Sequence, residues 1–320
     1  MRTTISLIFA FIPGILLYAQ ITPITNSTDQ LISLKVKSVS SYFTPDSLTS
    51  NSEEMLILKK DFNPEGKLIK KYQLYLWDVI SYNYTTTYNY NEDGLLKEEL
   101  KIQKILNLFR QDEDYIRSFG DKPLNEKILF YYNDSDQLIK KDIYTFSTES
   151  IPENPVPSQS IIYQYDDLLL AKEESESSDD KFFNRNYTIN YQYDSVKNLV
   201  GKIRAYGKDL NMKRATNYSY DTLNRIIEER IRDGSVPHNN AHYRYTYNEN
   251  GLLYQKFIFN EEESEFELDI TYTYDEHGNV ISGEREVNFD YYENGLIKSE
   301  SWINPVKEEL ITFKTTYEFY

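Results

Sequence analysis

The chain has 320 residues, of which 40% are apolar and 27% charged, and its 51 acids against 35 bases give a net charge of −16. That composition is globular. The absence of cysteine excludes disulfides, thiolate zinc sites and cysteine catalysis, while the negative balance offers no basic footprint for nucleic acid or anionic lipid. Tyrosine dominates the aromatics, at 30 against 16 phenylalanines and two tryptophans, and this favours extended structure.

In chain order, Arg2 precedes an apolar run from Ile5 to Leu17 that ends at the small residue Ala19. The run is too short to span a bilayer, and Pro13 and Gly14 would break a buried helix, so residues 1–19 read as a signal peptide. No later apolar run is long enough to span as a helix. The product is expected to be secreted to the periplasm, cell surface or exterior. Residues 20–54 are expected to cap the first repeat or to be partly disordered, and residues 55–320 to form one repeat domain.

That domain is organised by an aromatic followed by a turn. The anchors are Phe62, Tyr90, Tyr132, Tyr165, Tyr193, Tyr220, Tyr247, Tyr274 and Tyr291, with steps of 28, 42, 33, 28, 27, 27, 27 and 17 residues. A sustained period of 27 to 28 marks tandem supersecondary units. The 42-residue step is read as an insertion from about Lys101 to Lys122, with a short helix in it. The 33-residue step holds Pro152, Pro155 and Pro157, expected in a surface loop.

Each unit has the chemistry of a β-hairpin. Tyr187, Ile189, Tyr191 and Tyr193 alternate with polar residues, as do Leu268, Ile270, Tyr272 and Tyr274, which places large side chains on one strand face. Four residues past an anchor stand Gly66, Gly94, Gly251, Gly278 and Gly295, where the reversing chain is expected to need positive φ. Asp136 and Asn224 hold that place in two units and Lys197 in a third, whereas the unit at Tyr165 has lost residues from its turn. Burying four large side chains is worth roughly 6 to 12 kcal/mol. Ordering a unit costs on the order of 27 to 54 kcal/mol of backbone entropy. No unit therefore stands alone, and the tyrosines are expected to serve mainly in core and cross-strand packing between neighbours.

The segments YDSVKNL (193–199), YDTLNRI (220–226) and YDEHGNV (274–280) resemble the YD repeat of the RHS-repeat family, in which Tyr-Asp is followed by two variable residues, Gly, Arg and Leu. The resemblance spans about residues 60 to 320. Only Arg225 matches the family's arginine, Asn often replaces the aspartate, and four units lack the glycine. The resemblance implies a long curved β-sheet. The toxin-enclosing role of the largest members is not carried over, because nine units are few and no Asp-Pro self-cleavage dipeptide is present.

The fold expected is all-β, an elongated, twisted, solenoid-like antiparallel sheet of tandem hairpins. An outer-membrane barrel is set aside because charges such as Lys97, Glu98 and Glu99 fall on both strand faces. His238, His242 and His277 form no metal-ligand pattern, and no nucleophile elbow, P-loop or dinucleotide fingerprint is present. The turns NEDG (91–94) and DEHGN (275–279) crowd oxygens in a way that suggests calcium, although turn chemistry alone accounts for them. The chain is thus expected to be a non-catalytic scaffold without cofactor or resident metal, meeting a protein or glycan partner. The alternatives are a carbohydrate-active enzyme on a β scaffold, with two carboxylates about 5 to 10 Å apart, and a shell-type relative of RHS toxins.

Overall fold

The computed structural model describes residues 28–45, 54–75, 81–106, 125–147, 155–178, 186–207, 210, 212–283, 286–303 and 310–320. The signal segment, most of the 101–122 insertion, and Pro152 lie outside the described residues.

One short helix, α1 (Thr28–Ser33), precedes the strands β1 (Val36–Pro45), β2 (Met55–Phe62), β3 (Leu68–Tyr75), β4 (Ser81–Tyr90), β5 (Leu96–Leu106), β6 (Asn125–Tyr132) and β7 (Leu138–Phe146). Then come β8 (Gln159–Asp166), β9 (Leu169–Ser177), β10 (Tyr187–Tyr193), β11 (Leu199–Tyr206), β12 (Met212–Tyr220), β13 (Ile226–Asp233) and β14 (Ala241–Tyr247). The last are β15 (Leu253–Asn260), β16 (Glu265–Thr271), β17 (Thr273–Tyr274), β18 (Val280–Ser282), β19 (Asn288–Tyr291), β20 (Ile297–Ile303) and β21 (Leu310–Phe319). The chain is all-β and built of consecutive antiparallel hairpins, as its repeat pattern implies. Lys101 to Leu106, read from sequence as the start of an insertion, instead lengthens β5.

Two compact units divide the chain. The first comprises residues 1–127, 145–154 and 286–320, and its strands run β19-β20-β21-β1-β2-β3-β4-β5, each antiparallel to the next. Sequence neighbours pair throughout, with one exception: β1 lies between β2 and β21, so the first and last described strands are hydrogen-bonded to each other. The second unit, residues 128–144 and 155–285, is a ladder from β7 to β16 in sequence order, with β17 and β18 forming a separate small hairpin.

The units bury their apolar residues differently. In the first, α1 closes a cluster of Leu31, Val36, Val39, Phe62 and Leu296. A second cluster there joins Ile57, Leu74, Trp302, Ile311 and Phe313, with the Phe313 ring 5.2 Å from Trp302 and 5.4 Å from Phe43. In the second unit, Ile161, 9% exposed, is the most buried hydrophobic residue among the described residues. Cross-strand pairs carry that sheet, and its tyrosines, apart from the exposed Tyr131 and Tyr254, are half-buried.

Register explains one departure from simple alternation. Leu268 and Ile270 are expected on one face, yet Leu268 is 54% exposed. A bulge pairs Lys256 with Ile270 but Phe257 with Leu268, so Asp269 is skipped and the two apolar residues face opposite ways.

Candidate binding face

Each anchor aromatic except Tyr165, which stands one residue before the end of β8, ends an outgoing strand that is followed by a tight turn. At Tyr90 the amide of Asn91 donates to the carbonyl of Leu95, and that of Gly94 donates to the carbonyl of Asn91. The Asn91 side-chain oxygen accepts from the Leu95 amide at 2.7 Å. The same side-chain bond recurs at Asn63, Asn133, Asp194, Asp221, Asn248 and Asp275. This explains why Asn and Asp both serve after the anchor, since either offers the acceptor. It also gives turn amides a claim on the oxygens that suggested calcium. Among the described residues no group of three or more His, Asp or Glu side chains could hold a metal ion.

The fourth residue past the anchor takes positive φ: 77° at Gly66, 82° at Gly94, 75° at Gly251, 79° at Gly278 and 77° at Gly295. Asp136, Asn224 and Lys197 adopt the same region at 58°, 58° and 71°. The hairpin after Tyr165 has a two-residue tip, Asp167 and Leu168, with Asp166 paired to Leu169 and Asp167 at φ 55°. His277 occupies a turn, His238 a 3-10 turn, and His242 lies on β14 hydrogen-bonded to Glu228 against the rings of Phe259 and Phe266.

Two features escaped the sequence reading. The ladder shifts register at the anchor, for instance between Asn89 and Tyr90 and between Ser219 and Tyr220, which gives these hairpins a bulge. The anchor hydroxyl then donates to the carbonyl opening the return strand of the preceding hairpin. These bonds join Tyr90 to Leu68 (2.8 Å), Tyr193 to Leu170 (3.0 Å), Tyr220 to Leu199 (2.7 Å) and Tyr247 to Ile226 (2.6 Å). The constant spacing of Tyr and the following turn was the available signal, but it identified the ring and not its hydroxyl's target. Turns are tied as well: Lys67 Nζ donates to the Gly94 carbonyl and Asn198 Nδ2 to Asn224 Oδ1, each at 3.0 Å.

In the second unit, the tyrosines preceding the anchors form a polar aromatic face. Tyr163 and Ile189 are both cross-strand partners of Glu173, and the Glu173 carboxylate accepts from the hydroxyls of Tyr187 (2.5 Å) and Tyr191 (3.2 Å). The Arg204 guanidinium stands 4.5 Å from the Tyr187 ring centre, while Lys256 stands 4.6 Å from Tyr243. Burial, with Glu173 beside it, pushes the Tyr191 phenol up to about 12. Tyr163, Tyr187 and Tyr245 are raised further by burial and by Glu173 or Glu229. These hydroxyls therefore stay protonated at neutral pH, able to donate to a carboxylate or a ligand oxygen.

No family model matches this sequence, and no curated protein does. Among solved structures, a porin-like protein from Bacteroides uniformis ATCC 8492 is similar at 12% identity and a TM-score of 0.38, covering 88% of this chain and 98% of that one. A TcdB2–TccC3 structure without its hypervariable C-terminal region matches at 12% identity and a TM-score of 0.41, over 88% of this chain and 16% of the other. The Tc holotoxin pore of Photorhabdus luminescens matches at 10% identity and a TM-score of 0.35, over 83% and 17%. No helix among the described residues is long and apolar enough to cross a membrane.

Proposed function

We propose that the chain is an exported, non-catalytic scaffold of RHS-like YD repeats that binds a glycan on the tyrosine face of its second unit. One observation carries the reading: half-buried tyrosine rings, with hydroxyls fixed on Glu173 and Glu229, share that face with Arg204, Lys202 and Lys256. Ring faces suit the apolar faces of sugars, and the polar groups between them suit hydroxyls; a protein partner would use the same groups through buried tyrosine anchors. Export rests on the signal-like residues 1–19, and the repeat assignment on the YD segments. The test is binding of the mature chain to an oligosaccharide array, with Tyr163→Ala/Tyr191→Ala as the comparison. The expected result is at least a tenfold loss in the double variant with the circular-dichroism spectrum retained. Unchanged binding would remove the face from the proposal, and turnover of any bound sugar would refute the non-catalytic reading.

A further inference from the structure

The register of the first unit brings together cations that sequence spacing separates. Lys60 on β2 is the cross-strand partner of Lys71 on β3, Lys71 of Thr86 on β4, and Thr86 of Lys101 on β5. Cross-strand partners share a sheet face with Cβ atoms about 5 Å apart, so three lysines and one hydroxyl form a single row across four strands. Thr86 is 6% exposed and the three lysines are half-buried.

Like charges directly opposite on a sheet oppose its formation, and burial adds to the cost. Surface lysines normally escape by turning into water. Here the charges remain close enough to act on one another: burial and then Lys71 push Lys60 down to about 8, while burial and then Lys101 lower Lys71, with Glu99 opposing. Lys101 Nζ lies 4.3 Å from the centre of the Tyr84 ring, which holds it over this face. Tyr84 and Tyr88 flank Thr86 on its strand, and Gln73, 7% exposed, is the partner of Tyr84. The three lysines outnumber Glu99 and Glu126, which act on Tyr88 and Tyr84 of this face, and in a chain of net charge −16 such a cationic row has the chemistry of an anion site.

We propose that Lys60, Lys71 and Lys101 form a binding site for an oxyanion group: sulfate, phosphate or carboxylate. The flexible four-carbon stems let the ammonium groups converge on one such group, whose charge would replace their mutual repulsion with attraction. This site belongs to the first unit and does not depend on glycan binding by the second.

The test uses the mature chain and inorganic sulfate, with chloride at equal ionic strength as the control. Sulfate should raise the melting temperature saturably and bind in titration calorimetry, whereas chloride should do neither. Lys71→Met should weaken sulfate binding at least tenfold and, with sulfate absent, melt higher than the parent. Lys60→Met should do the same and keeps the test decisive should Lys71→Met fold poorly. No sulfate binding by the parent, equal binding by parent and variants, or variants that all melt lower without sulfate would overturn the proposal. Glucuronate and a sulfated oligosaccharide separate the sources: similar affinities identify a free small anion, and an oligosaccharide at least tenfold tighter identifies an acidic glycan. The Tyr163→Ala/Tyr191→Ala variant should bind sulfate as the parent does.

Discussion

Single side chains in this protein are chosen by turn geometry as much as by burial. Lys197 holds φ at 71°, a region that costs a β-carbon about 1 to 2 kcal/mol, where other units place glycine. Lys197→Gly should therefore stabilise the chain by about 0.5 to 1 kcal/mol, the strain relieved being partly offset by added freedom in the unfolded chain; chemical denaturation would show it as a higher midpoint with unchanged slope. Glycine at Gly66 answers a second demand, since a β-carbon there would clash with the Ile32 side chain of α1. The Tyr220 hydroxyl bond to Leu199 isolates the anchor's polar role. Tyr220→Phe keeps the ring and should cost about 0.5 to 1.5 kcal/mol, whereas an unchanged denaturation midpoint would show that the ring alone ties the hairpins. The turn residues were legible because Gly, Asn and Asp advertise their backbone geometry locally. The hydroxyl's acceptor lies on the preceding hairpin and depends on the bulge beside the anchor, which one-dimensional spacing does not encode.

At the scale of elements, the unit of stability is the hairpin joined to its neighbour. The strand pairing β1–β21 departs from the nearest-neighbour order, and it converts two chain ends into a composite pair with nine residue partners, from Val36 with Phe319 to Pro45 with Ile311. Tyr317 joins this closure, its hydroxyl donating to the Ile297 carbonyl at 2.9 Å, and Tyr320 donates to the carbonyl of Phe62. The apolar support beneath is Phe313, 1% exposed against Trp302 and Phe43. Phe313→Ala should cost about 3 to 5 kcal/mol, as loss of a buried ring with incomplete collapse does. Amide exchange should then rise first in β1 and β21. Uniform acceleration along all strands would instead indicate that the chain unfolds as one cooperative block. The alternation of the C-terminal strand was visible in the sequence, but its partner at the opposite end of the chain was not.

For the whole molecule, the tyrosine content sets the alkaline limit of stability. Burial comes first among the causes that raise Tyr88, Tyr131 and Tyr191 to about 12, followed by Glu99, Asp142 and Glu173 respectively. Burial also raises Tyr317, with Tyr292 and Glu300 adding to the shift. An unfolded tyrosine titrates near 10, so between about pH 10 and 12 the folded chain holds more protons than the unfolded one. This contribution to stability is complete below pH 10 and falls as pH rises through the folded values. Phenolate absorbance at 295 nm should appear together with loss of the β-sheet circular-dichroism signal. Phenolate formation centred at pH 10 with the spectrum intact would count against the shared tyrosine packing.

The sequence by itself determined the repeating hairpin, the reversal just past each anchor and the all-β class. Those properties depend on alternation, on turn residues and on a period, all of which act over fewer than thirty residues. Tertiary structure decided what depends on register between strands: the bulge beside the anchor, the hydroxyl staple, the insertion of β1 beside β21, and the lysine row. Lys60, Lys71 and Lys101 are unremarkable in order along the chain, because the side-chain period of a strand tells which residues share its face but not which residue of the next strand stands opposite. A shift of one residue in pairing would have sent Lys71 to the other face, and only the folded sheet fixes that choice.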